Sequence, residues 1–195
     1  MRHLLLATHN AHKAREFAEI LGAEFALRDL SSEAELPVVE ETGETFAENA
    51  ILKAVAISKL VSDLVVADDS GLEVDALHGA PGVFSARYAG ASATDQENIA
   101  RLLSALRAIS KNELPTARFR RVLALATDGE ILGTFEGAIE GVIVDSPRGG
   151  SGFGYDPVFQ PNGCAKTFAE LSAAEKNQMS HRARAIRLLH AALKR

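Results

Sequence analysis

The chain has 195 residues, 47% hydrophobic and 24% charged, with a formal net charge of −5 and one cysteine. This length and apolar share suit a single domain, 1–195, with room for two lobes. The acidic balance argues against a non-specific nucleic-acid binder, one cysteine excludes an internal disulfide, and the N-terminal apolar run Leu4–Ala7 is too short for a signal core or a membrane span, so a soluble cytoplasmic protein is expected.

In chain order, "HLLLAT" is a short apolar run that breaks into "HNAHK", and "AREFAEILG" follows as a helix ending at Gly22. The stretch "ETGETFAENAILKAVAISKLV" reads as helical, with Thr45 and Glu48 forming a capping box at its start. "DLVVADDSG" reads as a strand ending in carboxylates, where Ser70-Gly71 turn the chain away. "TDQENIARLLSALRAI" is a further helix with Ile99, Leu102, Leu103 and Leu106 on one face. "ARFRRVLALATDGEILGTFEGAIEGVIV" reads as successive strands turning at Asp128-Gly129. The C-terminal part is helical, with a second Thr-x-x-Glu box at Thr167 and Glu170 and an apolar stripe of Ile186, Leu189 and Leu193. Strand–helix alternation at both ends around a hairpin region predicts an α/β fold on a mixed sheet with flanking helices.

Three features point to a polyphosphate. In "ATHNAHK" a strand turns through small and polar residues into a helix, with Lys13 near its start and Thr8 and Asn10 as further donors; amide groups at a helix start plus one lysine make an anion site. By itself this is also what an ordinary strand-to-helix turn looks like. Projected at about 100° per residue, Phe46, Ala50, Ile57 and Leu60 form one apolar stripe, and Lys53 lies in its middle. An ammonium there either snorkels to water or reaches an anionic ligand, and the cost of burying charge favours the second. Asp68 and Asp69, with Glu40 and Glu41 before Thr42-Gly43, supply paired carboxylates able to hold Mg²⁺ or to form a solvated acidic turn.

Two further stretches are unusual. "GGSGFGYDPVFQP" mixes glycine with aromatics; a flat base would use an aromatic face for stacking, glycines for close backbone approach, and Asp156 as an acceptor. In "SHR" Ser180 reads as a cap, and His181 and Arg182 oppose the dipole of the helix they begin, which suits donors aimed at a carbonyl-rich base better than it suits helix stability. Cys164 stands in a loop without an acid or histidine nearby in sequence, and His9 and His12, near the phosphate turn, show no metal-ligand spacing.

Taken together, "LATHNAHKAREF", "EETGETFAENAILKA", "ADDSGLEVDALHGAPGVFSARYAG", "GFGYDPVF" and "AEKNQMSHRARA" resemble the inosine triphosphate pyrophosphatase family, in order and over nearly the whole chain. Where the first motif of that family commonly has glycine between Thr8 and Asn10, this chain has His9. The resemblance implies an elongated α/β fold with two lobes around a central cleft, a homodimer, and a requirement for Mg²⁺. It implies cleavage of ITP, dITP and XTP to monophosphate and pyrophosphate. Carried over, Thr8, His9, Asn10, Ala11, His12 and Lys13 would bind phosphate, Lys53 would contact the phosphates, and Glu40 and Asp69 would hold the metal. Asp69 would also serve as base, with Ser70 beside the ligand; Glu41 and Asp68 could exchange roles with their neighbours. Phe153, Gly154, Tyr155, Asp156, Lys176, His181 and Arg182 would bind the nucleotide. The competing functions are a non-catalytic nucleotide-binding regulator and a pyrophosphatase for modified pyrimidine nucleotides.

Overall fold

The computed structural model describes residues 2–8, 10–32, 36–109 and 113–194, without the side chains of Arg2, Ala11, His12, Ala23 and Ser32. Six strands form one sheet: β1 Arg2–Leu6, β2 Phe25–Asp29, β3 Leu64–Val74, β4 Thr116–Thr127, β5 Glu130–Ile143 and β6 Phe159–Pro161. Their order is β2-β1-β3-β4-β5-β6. Parallel pairing of β1 with β2 and β3, and antiparallel pairing of β5 with β6, make the sheet mixed, as the sequence predicts. The helices are α1 Ala11–Leu21, α2 Phe46–Ser58, α3 Asp95–Arg107, α4 Ala173–Met179 and α5 His181–Leu193.

The chain divides into two compact units, one of Met1–Asp69, Arg121–Gly137 and Arg182–Arg195, the other of Ser70–Arg120 and Ala138–His181. The core of the first joins Leu4 and Leu6 of β1, Phe17 and Leu21 of α1, Val66, Leu123, and Ile186, Leu189 and Leu193 of α5. Leu4, Leu5 and Leu6 are all buried, the continuous apolar run of a strand covered on both faces. The core of the second is richer in aromatics. Leu72 and Val74 pack with the Ile99–Leu106 face of α3 and with Phe119, Tyr155, Phe159 and Phe168.

Local signals set several boundaries. The Thr45–Glu48 capping box starts α2, and the Asp128-Gly129 turn, with φ of 50° and 81°, separates β4 from β5. Three expectations need correction. The acids of β3 do not end the strand, because Leu72 and Val74 continue into the second core and the Leu72 amide donates to Ser85 Oγ at 2.9 Å. The Thr167–Glu170 box closes a single 3₁₀ turn, and α4 is started instead by Ser172 with Glu175. Leu60 is exposed, because α2 ends at Ser58 before the stripe reaches it. The short strands β2 and β6 carry too little apolar periodicity to be predicted; sheet pairing makes them strands.

Candidate active site

The turn after β1 organises itself. Thr8 Oγ1 accepts from the Asn10 amide at 3.1 Å, and Asn10 Oδ1 accepts from the Lys13 amide at 3.2 Å, as an N-cap side chain does. This fixes the first turn of α1 and makes Lys13 its third residue. His9, and the side chains of Ala11 and His12, lie outside the described residues. Lys13 Nζ stands 2.9 Å from Asp68 Oδ2. Lys53 comes from α2: its Nζ is 2.6 Å from Glu41 Oε1 and donates also to the Asp68 carbonyl. Thr8, Asn10, Lys13, Glu41, Lys53 and Asp68 all line one pocket of about 280 Å³. Glu40 is exposed in the segment leading to α2.

The two adjacent acids have opposite environments. Asp68 is almost fully buried, which alone would raise its pKa, but the charges of Arg121, Lys13 and Lys53 override burial and hold its carboxyl well below the usual range. Asp69 is also buried, and there burial wins. Its pKa is raised, with Lys53 and a hydrogen bond from Asn49 opposing the shift and Glu41 adding to it. Asn49 Nδ2 donates to Asp69 Oδ2 at 2.9 Å while its Oδ1 accepts from the Gly43 amide at 2.8 Å, so one fully buried amide ties Asp69 to the segment carrying Glu41.

Among the described residues no group of three or more His, Cys, Asp or Glu side chains could hold a metal ion. A hard cation such as Mg²⁺ does not need one, since it takes one or two protein carboxylates and completes its shell with water and substrate phosphates. Asp69, a buried carboxylate whose ionised form burial disfavours, would be stabilised by such a dication and suits it as one of those carboxylates.

In the second unit, residues 149–158 fold over Asp156. Asp156 Oδ2 accepts from the Phe153 amide at 2.9 Å and meets Lys176 Nζ at 2.5 Å, in a side chain that is buried. Lys176 Nζ also lies 5.4 Å from the centre of the Phe153 ring. Gly154 donates its amide to Asp95. Tyr155, one of the two aromatics expected to face a base, has its ring in the core and donates its hydroxyl to the Ser85 carbonyl at 2.9 Å; burial pushes its pKa up. Phe153 is only half-buried. His181 is buried, stacked on Phe119 at 4.9 Å between ring centres and 11° between planes. Arg182 is buried in the first unit, its Nη1 3.4 Å from Glu16 Oε1. Ser70 lies half-buried in β3.

Gly152 shows one reason for the glycines in this segment. Its φ is 82°, and a Cβ there would lie 2.1 Å from Asp156 Oδ2. The glycine therefore lets the loop close on its own aspartate. Gly152→Ala should cost roughly 1–3 kcal/mol, seen as a Tm several degrees lower in thermal unfolding. An unchanged Tm would mean the loop relaxes without loss.

Two buried polar residues of the site escaped the sequence reading. Asn49 lies one turn before Lys53 on α2, and Arg121 occupies an inward position of β4, in step with buried Ala117, Phe119 and Leu123. The signal was present in the second case, because a charged residue in phase with the apolar positions of a strand is unusual.

The fold and these clusters define an α/β protein built around buried, paired charge. The model of the Ham1 family matches residues 4–192, and the chain belongs to that family. It is 50% identical over 190 residues to the dITP/XTP pyrophosphatase of Bacillus subtilis (strain 168), covering 97% of this chain and 96% of the relative. The structure of a HAM1 protein from Coxiella burnetii superposes with a TM-score of 0.91 at 42% identity, covering 100% of this chain and 99% of that one. The Staphylococcus aureus Ham1 protein gives 0.89, also at 42% identity, covering 99% and 98%. Among the described residues no helix is long and apolar enough to cross a membrane.

Proposed function

We propose that this protein hydrolyses non-canonical purine nucleoside triphosphates (ITP, dITP and XTP) to the monophosphate and pyrophosphate, clearing them from the nucleotide pool. The observation that carries the reading is the cluster in which Lys13 meets Asp68, Lys53 meets Glu41, and Asn49 holds Asp69. The two neighbouring carboxylates stand in opposite electrostatic environments, which suits them to different roles. Asp68 is the permanent anion that anchors Lys13. Asp69 is the base, its raised pKa bringing it closer to the pH at which it works.

In this mechanism Lys13 and Lys53 bind the phosphates of the substrate. Asp69 accepts a proton from water, the water oxygen bonds to the α-phosphorus, the α–β bridging bond breaks, and pyrophosphate leaves. Glu40 and Asp69 would hold Mg²⁺, which when bound neutralises phosphate charge and polarises the reacting centre. Glu41 keeps Lys53 in place. For the base, Phe153 is the stacking face, Lys176 and Asp156 hold its loop, and His181 and Arg182 supply donors. Cleavage at the α-phosphorus, Mg²⁺, a homodimeric assembly and action in the cytoplasm belong to the same proposal and rest on the family resemblance.

Product analysis tests it. With Mg²⁺ and ITP, dITP, XTP, GTP or ATP, pyrophosphate and monophosphate should appear together, fastest from ITP, dITP and XTP. Orthophosphate alone would make the enzyme a phosphatase; tight binding without turnover would make it a regulator. Either result overturns the reading.

A further inference from the structure

Among the described residues Arg121 is the bulkiest fully buried side chain, with none of its surface exposed. Its Nη2 lies 3.2 Å from Asp68 Oδ2, and its guanidinium carbon sits 4.6 Å from the centre of the Phe17 ring of α1. None of its three nitrogens makes a hydrogen bond among the described residues, so Nη2 meets Asp68 as an ion pair only. Glu16 and Arg182 add opposing charges nearby, and burial is the largest influence on the group. A guanidinium kept this dry, with its N–H groups unmatched by hydrogen bonds, is costly to the fold. An apolar side chain of similar volume would satisfy packing alone.

The geometry suggests what the cost supports. Asp68 Oδ2 faces two cations, Arg121 behind and Lys13 on the pocket side. With Lys13 alone, the pair would sum to zero and the lysine would offer a phosphate little attraction. With Arg121 added, the trio sums to +1. Arginine is suited to the place because it stays charged when buried and stacks on an aromatic ring. Resting on the triphosphate-cleaving function above, we propose that Arg121 is a positioning residue for phosphate binding: it neutralises Asp68 from behind, so that Lys13 is held in place and presents an uncancelled positive charge to the substrate.

Inorganic pyrophosphate is the probe, because its binding to the full chain is measured by calorimetry without turnover. Arg121→Met should weaken it about tenfold, a coupling ordinary for neighbouring charges, and should raise KM for ITP more than it lowers kcat. Arg121→Lys should recover most of the affinity and Arg121→Gln should not. The effects of Arg121→Met and Lys13→Met should be strongly non-additive, since one acts through the other. If Arg121 only fills space, Arg121→Met or Arg121→Gln would lower Tm yet bind pyrophosphate like the parent. That result, or additivity with Lys13→Met, overturns the inference. If Arg121→Met does not fold, Lys and Gln variants of equal affinity overturn it in the same way. A parent that neither binds pyrophosphate nor cleaves ITP would instead overturn the function itself.

Discussion

Asp69→Asn is expected to lower kcat by at least the roughly 10²–10⁴-fold that loss of a general base brings, with Tm unchanged or higher at neutral pH. The two halves of this expectation have one cause. Burial raises the pKa of Asp69, so its ionised form is disfavoured in the folded protein. By linkage, a carboxyl whose folded pKa lies above its unfolded one contributes most below the unfolded value, and the contribution is lost as pH rises through the folded value. At neutral pH the ionised group is therefore a strain on the fold. Asparagine removes that strain and can still accept from Asn49 through its side-chain oxygen, so the contact at 2.9 Å need not be lost. It cannot take a proton from water. In the parent, kcat/KM should fall on the acid side, because protonation of Asp69 removes the base. The measurements are initial rates with ITP across pH and thermal unfolding of both proteins. Near-parental rates in Asp69→Asn would remove Asp69 from the mechanism, and a collapse of Tm would make it a structural acid.

The second large effect concerns the base. ITP and XTP are expected to exceed ATP in kcat/KM by orders of magnitude. Arg182 and His181 are both buried, and both are able to donate. A 6-oxo purine presents an acceptor at that edge, whereas adenine presents an amino donor, so donor would meet donor. Each buried polar group left unmatched costs about 1–3 kcal/mol, and a site built around a hydrogen bond rejects the wrong partner by up to about 10⁴–10⁵-fold. Arg182 is aimed partly by Glu16, 3.4 Å away, which limits where its guanidinium can go. Steady-state kinetics with ITP, XTP, GTP and ATP on the parent and on Arg182→Ala decide the matter. The variant should lose most of the preference for ITP over ATP. Equal values for ITP and ATP in the parent would refute donor-based selection, and a preference unchanged in Arg182→Ala would assign it to other donors.

The features legible in the sequence were those written within a few consecutive residues. Thr45 and Glu48 specify the start of α2 through hydrogen bonds to each other's backbone, and Asp128-Gly129 specify a turn through their own φ values. The run of Leu4, Leu5 and Leu6 marks a strand covered on both faces. The motif set, from "ATHNAHK" to "SHRARA", was enough to indicate the family to which the chain belongs. What the sequence left open depended on partners far along the chain. "ADDSG" looks like the end of a strand because two acids, a serine and a glycine are ordinary turn residues. It continues as strand because Lys13 and Arg121 neutralise Asp68, Asn49 binds Asp69, and Leu72 and Val74 enter a core. Phe153 and Tyr155 are equivalent as letters, and only packing distinguishes the half-buried ring from the one pinned to Ser85. The different states of Asp68 and Asp69 were likewise beyond the sequence, since neighbouring residues of one type diverge only when burial and charges brought from other elements act on each of them unequally.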